Sequence, residues 1–238
     1  QLQTTAETIE NRVLQRADAI VAVSQPLADQ IARRGVPCAK IHVVPNGADL
    51  EHFRSAPPRS AGRASLGYCE DDFVIGFLGT LKPWHGTDVL VDAFARLAWQ
   101  VQAARLLIVG SGPEETRLRN ALEQLGLASR AQFVGAVDHS RVPDLLIAMD
   151  VATAPYRPMD GFYFSPIKLY EYMAAQTCIV ASDIGQISDV IEHERNGLLC
   201  PPGDAGALAA ALQRTYEDSR LRRRLAEQGR RSAEAKHS

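Results

Sequence analysis

The chain has no apolar run approaching the roughly 20 residues that cross a bilayer. No signal-peptide pattern opens it, and these two absences predict a cytoplasmic protein. It has no excess of either charge. The formal net charge is -2 and the pI is near 6.3, without the basic surplus of a nucleic-acid binder, so no nucleic-acid partner is expected. Cys38, Cys69, Cys178 and Cys200 show no CxxC or other metal-ligand spacing, so they read as buried thiols in a reducing compartment, and no metal is expected. Two glycine motifs are also incomplete. In VGSGPEETRL, Gly110 and Gly112 precede a helix, but Glu115 stands at the third glycine of a dinucleotide fingerprint. Glu114 and Glu115 in that first helical turn repel a phosphate, which weighs against a Rossmann dehydrogenase. GTLKPWHGTD likewise fails the spacing of a P-loop.

What is present is a soluble composition, 46% hydrophobic and 23% charged over 238 residues, with ample material for a core. A helical pattern through TTAETIENRVLQRA, strands at 18–24 and 41–44, and a capped helix between them occupy the opening stretch. Two strands are too few for a sheet of their own. Residues 1–48 therefore read as the end of a preceding domain, the more so because the chain starts at Gln1 inside a helical pattern. Residues 49–66, with Pro57 and Pro58, read as a linker, and 67–238 as the main domain. In that domain apolar strands at 73–79, 105–110, 131–135, 150–155, 178–182 and 197–200 alternate with amphipathic helices. The fold class is α/β, a doubly wound parallel sheet of Rossmann-like type. Two further helical patterns run from 204 to 237, and the basic run LRRRLAEQGRR reads as a solvated helix face.

In open sheets of this kind the ligand sits beyond the carboxyl ends of the strands, which directs attention to the loops after Gly79, Gly110, Gly135, Pro155 and Ser182. In the first, Gly79 and Gly86 bracket Thr80, Lys82, Trp84 and His85, where glycine allows close approach and lysine can meet a phosphate. In YFSPIKLYEYMA, Ser165 and Pro166 read as N-cap and first helical residue, with Ile167 second and Lys168 third. A lysine at the positive end of a helix is out of place unless an anion lies nearby. An ion pair of Lys168 with Glu171 is one reading. In the other, Lys82 and Lys168 converge on a diphosphate with the backbone N–H of Ile167, and Glu171 accepts from ribose hydroxyls. Diphosphate plus sugar is a nucleotide-sugar.

The ordered blocks FLGTLKPWHGTDVLVDAFARL, LLIVGSGPEETRLRNAL, AQFVGAV, MDVATAPY, SPIKLYEYMAAQTCIVASDIGQISDVI and NGLLCPPGD resemble the donor-binding half of retaining glycosyltransferases of family four, which have the two-domain GT-B fold. RADAIVAVSQPLADQIARRGV and KIHVVPNGADLEHF resemble that family's exit from its acceptor domain and its linker. The resemblance implies hexosyl transfer with retention, as in polysaccharide biosynthesis, from a nucleoside-diphosphate sugar to a glycan-, lipid-linked or other acceptor. It needs no metal or other cofactor, and the acceptor site lies mainly on the preceding domain, which could also place the whole protein at a membrane surface. It implies Glu171 for the ribose, the backbone of Val134 for the base, and Ser165 to Lys168 for the diphosphate.

This sequence departs from the family pattern twice. Tyr163 stands at the first of two glutamates separated by seven residues, for which Asp160 is a substitute, and Thr80 and His85 replace an arginine and a lysine. Lys82 and Lys168 are left to supply the charge. The competing readings are a non-catalytic nucleotide-sugar module, made plausible by Tyr163, and a nucleotide-sugar epimerase, for which only Asp160, Glu171 and Asp183 lie near the strand ends.

Overall fold

Strands apolar on both faces need cover on both sides, and the computed structural model, which describes residues 2–236, has that construction. Gln1 and His237, at the edges of the sequence reading, lie outside the described residues. The opening stretch is α1 (Leu2–Arg16), β1 (Ile20–Ala22), α2 (Gln25–Arg33) and β2 (Ile41–Val43), with the strands paired as a parallel sheet of two. Next come α3 (Leu50–Arg54) and α4 (Arg59–Leu66). The main domain runs β3 (Phe73–Leu78), α5 (Thr87–Ala98), β4 (Ala104–Val109), α6 (Glu115–Gln124), β5 (Ala131–Gly135), α7 (Val142–Ala148) and β6 (Val151–Ala154). It continues with α8 (Ile167–Ala174), β7 (Cys178–Ser182), α9 (Gln186–Val190), β8 (Leu198–Cys200), α10 (Ala205–Glu217) and α11 (Ser219–Lys236).

The main sheet has six parallel strands in the order β5-β4-β3-β6-β7-β8. Side chains alternate between its faces with the strand period of two. Phe73, Ile75 and Phe77 of β3 join the core under α5 and α10, while Val74 between them joins the core with α7 and α8. The order places β4 and β5 on one side of β3 and β6 to β8 on the other, so the chain winds outward from β3 in one direction and from β6 in the other. The crevice between the ends of β3 and β6 is the topological switch point, where a ligand fits without displacing a crossover helix.

The stretch read as a linker, 49–66, holds two helices: Asp49 caps α3 by accepting from the backbone N–H groups of Glu51 and His52, and α4 packs on α7. Two expectations are corrected. Only Cys178 and Cys200 are buried; Cys38 and Cys69 are exposed, because they sit on a surface turn and just beyond α4. The basic run of α11 is not simply solvated, since Arg222 donates to Thr215 O, Arg224 to Glu194 O and Arg230 to Ala174 O.

One glycine has a sharp consequence. Gly86 starts α5 at φ +63°, and a Cβ there would lie 1.7 Å from the carbonyl oxygen of Pro155, at the end of β6. Gly86→Ala should destabilise the chain by about 3 kcal/mol, from strain and overpacking together, which urea unfolding would measure; a loss under about 1 kcal/mol would show that the loop yields.

Candidate functional site

A cavity of about 540 Å3 opens at the switch point, lined from β3 and its loop by Leu78, Gly79, Thr80, Trp84 and His85. The segment after β6 and helix α8 supply its other wall, from Tyr156 and Tyr163 to Lys168 and Glu171. A hollow of similar size, about 560 Å3, lies among Arg59, Arg63, Arg222 and Arg223 beside Asp150. Asp150 immediately precedes β6, so that hollow is at the amino ends of the strands, and the topology assigns function to the first cavity.

Helix α8 begins one residue later than its sequence implies. Pro166 is its N-cap, Ile167 the first helical residue and Lys168 the second, and no side chain caps the end. Ser165 does not do so; its hydroxyl is paired with that of Tyr170, 3.3 Å away. The first backbone N–H groups of the helix are left to another acceptor. Lys168 makes no ion pair with Glu171. Its ammonium is buried without a hydrogen-bond partner, 4.2 Å from the centroid of the Phe77 ring and 5.5 Å from that of Tyr156. Burial pushes its pKa down to about 7, with the carboxylate of Glu171 pulling weakly the other way. Gly79 makes room for it: at φ +139°, a Cβ there would stand 2.8 Å from Lys168 Nζ. Burying a cation without a partner is costly, and such a group on a cavity wall is prepared for an anion.

Glu171, one turn further along α8, meets His139 of the loop after β5, with Nε2 3.1 Å from Oε1. The His139 ring stacks on His52 of α3 at 4.9 Å, and its carbonyl lies 3.0 Å from His52 Nε2. His85 is pushed down to about 4 by burial first and then by Lys168, with Lys82 adding to it against the pull of the Thr80 carbonyl. It is a neutral imidazole at ordinary pH. Its Nδ1 lies 2.5 Å from Thr80 O, so Nδ1 carries the hydrogen and Nε2 is an acceptor.

Of the residues predicted from sequence, Gly79, Thr80, His85, Ser165, Ile167, Lys168 and Glu171 meet around this one cavity. Three do not line it. Lys82 points its ammonium over Trp84, 5.8 Å from the ring centroid. Val134 is on β5, half-buried, and Asp160 is on an exposed turn. The loop after β5 touches a lining residue through His139, which meets Glu171 and whose position just beyond a strand end was the available signal. The opening stretch also takes part. Val23 and Leu27 line the cavity, and Ser24 Oγ donates to Tyr163 O at 2.7 Å. Asn46 Nδ2 donates to Ser165 O at 2.8 Å, and Gln186 Nε2 to Val23 O at 2.9 Å. Among the described residues, no cluster of three or more His, Cys, Asp or Glu is placed to hold a metal, and no helix is long and apolar enough to cross a membrane.

A parallel sheet with an unpaired lysine at a helix start, facing a cavity at the switch point, defines an α/β domain of the kind that binds phosphorylated ligands. Comparison identifies which. Residues 59–232 match the family of glycosyl transferases group 1, and residues 2–52 match glycosyltransferase family 4. The chain belongs to the group 1, family four glycosyltransferases, and its six-stranded domain is the C-terminal domain of their GT-B architecture. It is 32% identical to the D-inositol 3-phosphate glycosyltransferase of Jonesia denitrificans, over 94% of this chain and 55% of that protein. It is 36% identical to the phosphatidyl-myo-inositol mannosyltransferase of Mycolicibacterium smegmatis, over 75% of this chain and 44% of that one. The chain thus spans about half the length of these curated relatives. Among solved structures, Anabaena HepE in complex with UDP-glucose superposes with a TM-score of 0.87 at 25% identity, over 99% of this chain and 64% of that one. Sucrose-phosphate synthase from Thermosynechococcus elongatus superposes with 0.82 at 29%, over 99% and 58%.

Proposed function

We propose that this chain is the donor-binding part of a retaining glycosyltransferase that moves a hexosyl-type group from a nucleoside-diphosphate sugar to a glycan, lipid-linked or other acceptor. The observation that carries this reading is Lys168, an ammonium with no partner, beside uncapped N–H groups on the wall of the switch-point cavity. A diphosphate supplies what both lack. The reaction's leaving group is a nucleoside diphosphate, so the work done by this wall is to neutralise the charge that builds as the sugar departs. Lys168 and the N–H groups of Ile167 and Lys168 act there, with Lys82 drawn in from the rim. Glu171 exchanges its contact with His139 for the ribose hydroxyls, the Val134 segment faces the base, and Asp160 lies on the turn toward the sugar. Support for a nucleotide donor comes from HepE, whose structure holds UDP-glucose at 25% identity. The acceptor is met mainly by residues preceding this chain, so the chain by itself binds donor and transfer requires the rest of the protein.

Thermal melting with UDP, GDP and ADP tests the proposal. One diphosphate should raise the melting temperature of the chain, and the same ligand should give little rise with Lys168→Ala, each rise being measured against the same variant without ligand. If none of the three shifts the melt, or if Lys168→Ala keeps the full shift, the donor site is not this cavity.

A further inference from the structure

The aromatic residues around the cavity form a connected arc. Trp84 meets His85 at 6.0 Å between ring centroids, His85 meets Tyr156 at 5.3 Å, and Tyr156 meets Phe162 at 5.1 Å. Phe162 meets Phe164 at 5.3 Å, and Phe164 meets Tyr163 at 4.6 Å. The middle of the arc is core, with Tyr156 3% and Phe162 5% exposed. Its two ends are not: Trp84 and Tyr163 are each 40% exposed, and both line the cavity. Large rings left open at the mouth of one cavity mark a surface kept for a ligand. The Tyr163 segment is also pinned. Ser24 holds the carbonyl of Tyr163 and Asn46 that of Ser165, so the ring is presented by backbone fixed on either side of Phe164. Among the described residues that line the cavity, Glu171 supplies the one carboxylate, beside Lys168 on α8.

A pyranose has a rim of hydroxyls and faces made of C–H groups. A site with carboxylates reads the rim, whereas a site with open aromatic rings takes the face. The donor's sugar hangs from the phosphate that Lys168 would hold, and Tyr163 is in the segment that leads directly into α8. The donor sugar is therefore the part of the ligand that can reach this ring without leaving the diphosphate. We propose that Tyr163 is a specificity-determining residue that seats the C–H face of the donor's sugar, with Trp84 closing the opposite end of the arc and His85 Nε2 accepting from a hydroxyl of the rim. Face recognition rejects a missing hydroxyl weakly, because no buried polar group is left unpaired when it goes. Donors carrying deoxy or N-acetyl sugars are accepted alongside ordinary hexoses.

This rests on the donor-site reading above, and the experiment separates the two. Calorimetry measures the affinity of the chain for UDP, GDP and ADP, and for the glucose, mannose and N-acetylglucosamine esters of whichever binds, in wild type, Tyr163→Ala and Tyr163→Phe. The expected result is that Tyr163→Ala weakens the sugar esters about fivefold or more while the free diphosphate stays within about twofold, and that Tyr163→Phe behaves as wild type. Equal weakening of ester and free diphosphate by Tyr163→Ala overturns the inference by making the ring a shaper of the segment. No weakening of either overturns it too. So does a loss with Tyr163→Phe as large as with Tyr163→Ala, which would assign the contact to the hydroxyl. If no diphosphate binds the wild type, it is the donor site itself that fails.

Discussion

Lys168→Met raises the melting temperature of the empty chain and removes most of its affinity for a nucleoside diphosphate. The two effects have one cause. The ammonium is buried on the wall of a cavity with no hydrogen-bond partner, between the rings of Phe77 and Tyr156 and against Gly79. Those ring faces attract a cation, but they replace only part of the hydration lost. Methionine keeps the length and packs on the same rings without a charge to desolvate. The gain should be about 1–3 kcal/mol, or roughly 2–10 °C in a chain of this size. The loss of a charged hydrogen bond to the diphosphate should lower affinity roughly 10- to 100-fold. A variant that is destabilised, or that binds the diphosphate as wild type does, would refute this account.

The same lysine gives the empty chain a pH dependence of known sign. Its pKa is about 7 when folded, against the ordinary lysine value of 10.5 once the chain unfolds, so between these values the unfolded chain binds the extra proton and stability rises with pH. Below about 7 the folded chain must hold the charged form, and this contribution levels off. Diphosphate affinity runs the other way. The ligand needs the ammonium, so binding above about pH 7 takes up a proton and weakens as pH rises. Melting curves from pH 6 to 10, with and without ligand, would change in opposite senses through this lysine in wild type, and Lys168→Met should lose both contributions.

The parts of this fold that were legible in the sequence are those in which local and tertiary preferences agree. The six main strands are short apolar runs between amphipathic helices, and a parallel sheet covered on both faces is what such runs need. Lys168 was legible for the opposite reason, as a residue that breaks the rule for its position, and such breaks gather at functional sites. What was misread depended on competition between nearby groups. Ser165 has the chemistry of an N-cap, but Tyr170 takes its hydroxyl and the helix starts after Pro166. Pro57 and Pro58 mark a break in the chain, and Pro58 is also the N-cap from which α4 starts, which their identity alone does not reveal. The contact of His139 with Glu171 was hidden for a third reason. The two are 32 positions apart, and they meet only because the loop after β5 folds back toward α8. Periodicity says nothing of that. The position of Lys82 over Trp84 is of the same kind, since the turn at Pro83 and the indole of Trp84, rather than the lysine's own identity, decide where its ammonium rests.

Asp150→Asn should cause the largest loss of stability, although Asp150 is far from the cavity in the fold. Its carboxylate, 8% exposed, sits where β6 begins and gathers positive charge from two helices. Oδ1 is 2.7 Å from Arg59 and 3.6 Å from Arg222, while Oδ2 is 2.5 Å from Arg63 and accepts from the backbone N–H of Val74 at 2.8 Å. Arg59 and Arg63 come from α4, and Arg222 from α11. Arg63 is the decisive partner, because its side chain is 5% exposed whereas that of Arg59 is 44% exposed. Burial already lowers the pKa of Arg59, with Arg63 and Arg222 adding to the effect, and Asp150 is what offsets it. Asparagine keeps an oxygen for Val74 but removes the charge, leaving the guanidinium of Arg63 buried with only the carbonyls of Ala148, Cys69 and Glu70. Breaking a buried pair from one side costs about 3–5 kcal/mol, roughly 6–20 °C for this chain. Arg59→Ala, which removes a half-exposed partner from the same carboxylate, should cost under about 1 kcal/mol. The contrast is the test. If both substitutions cost the same in urea unfolding, the cluster holds α4 and α11 by packing rather than by charge, and the carboxylate is one acceptor among several.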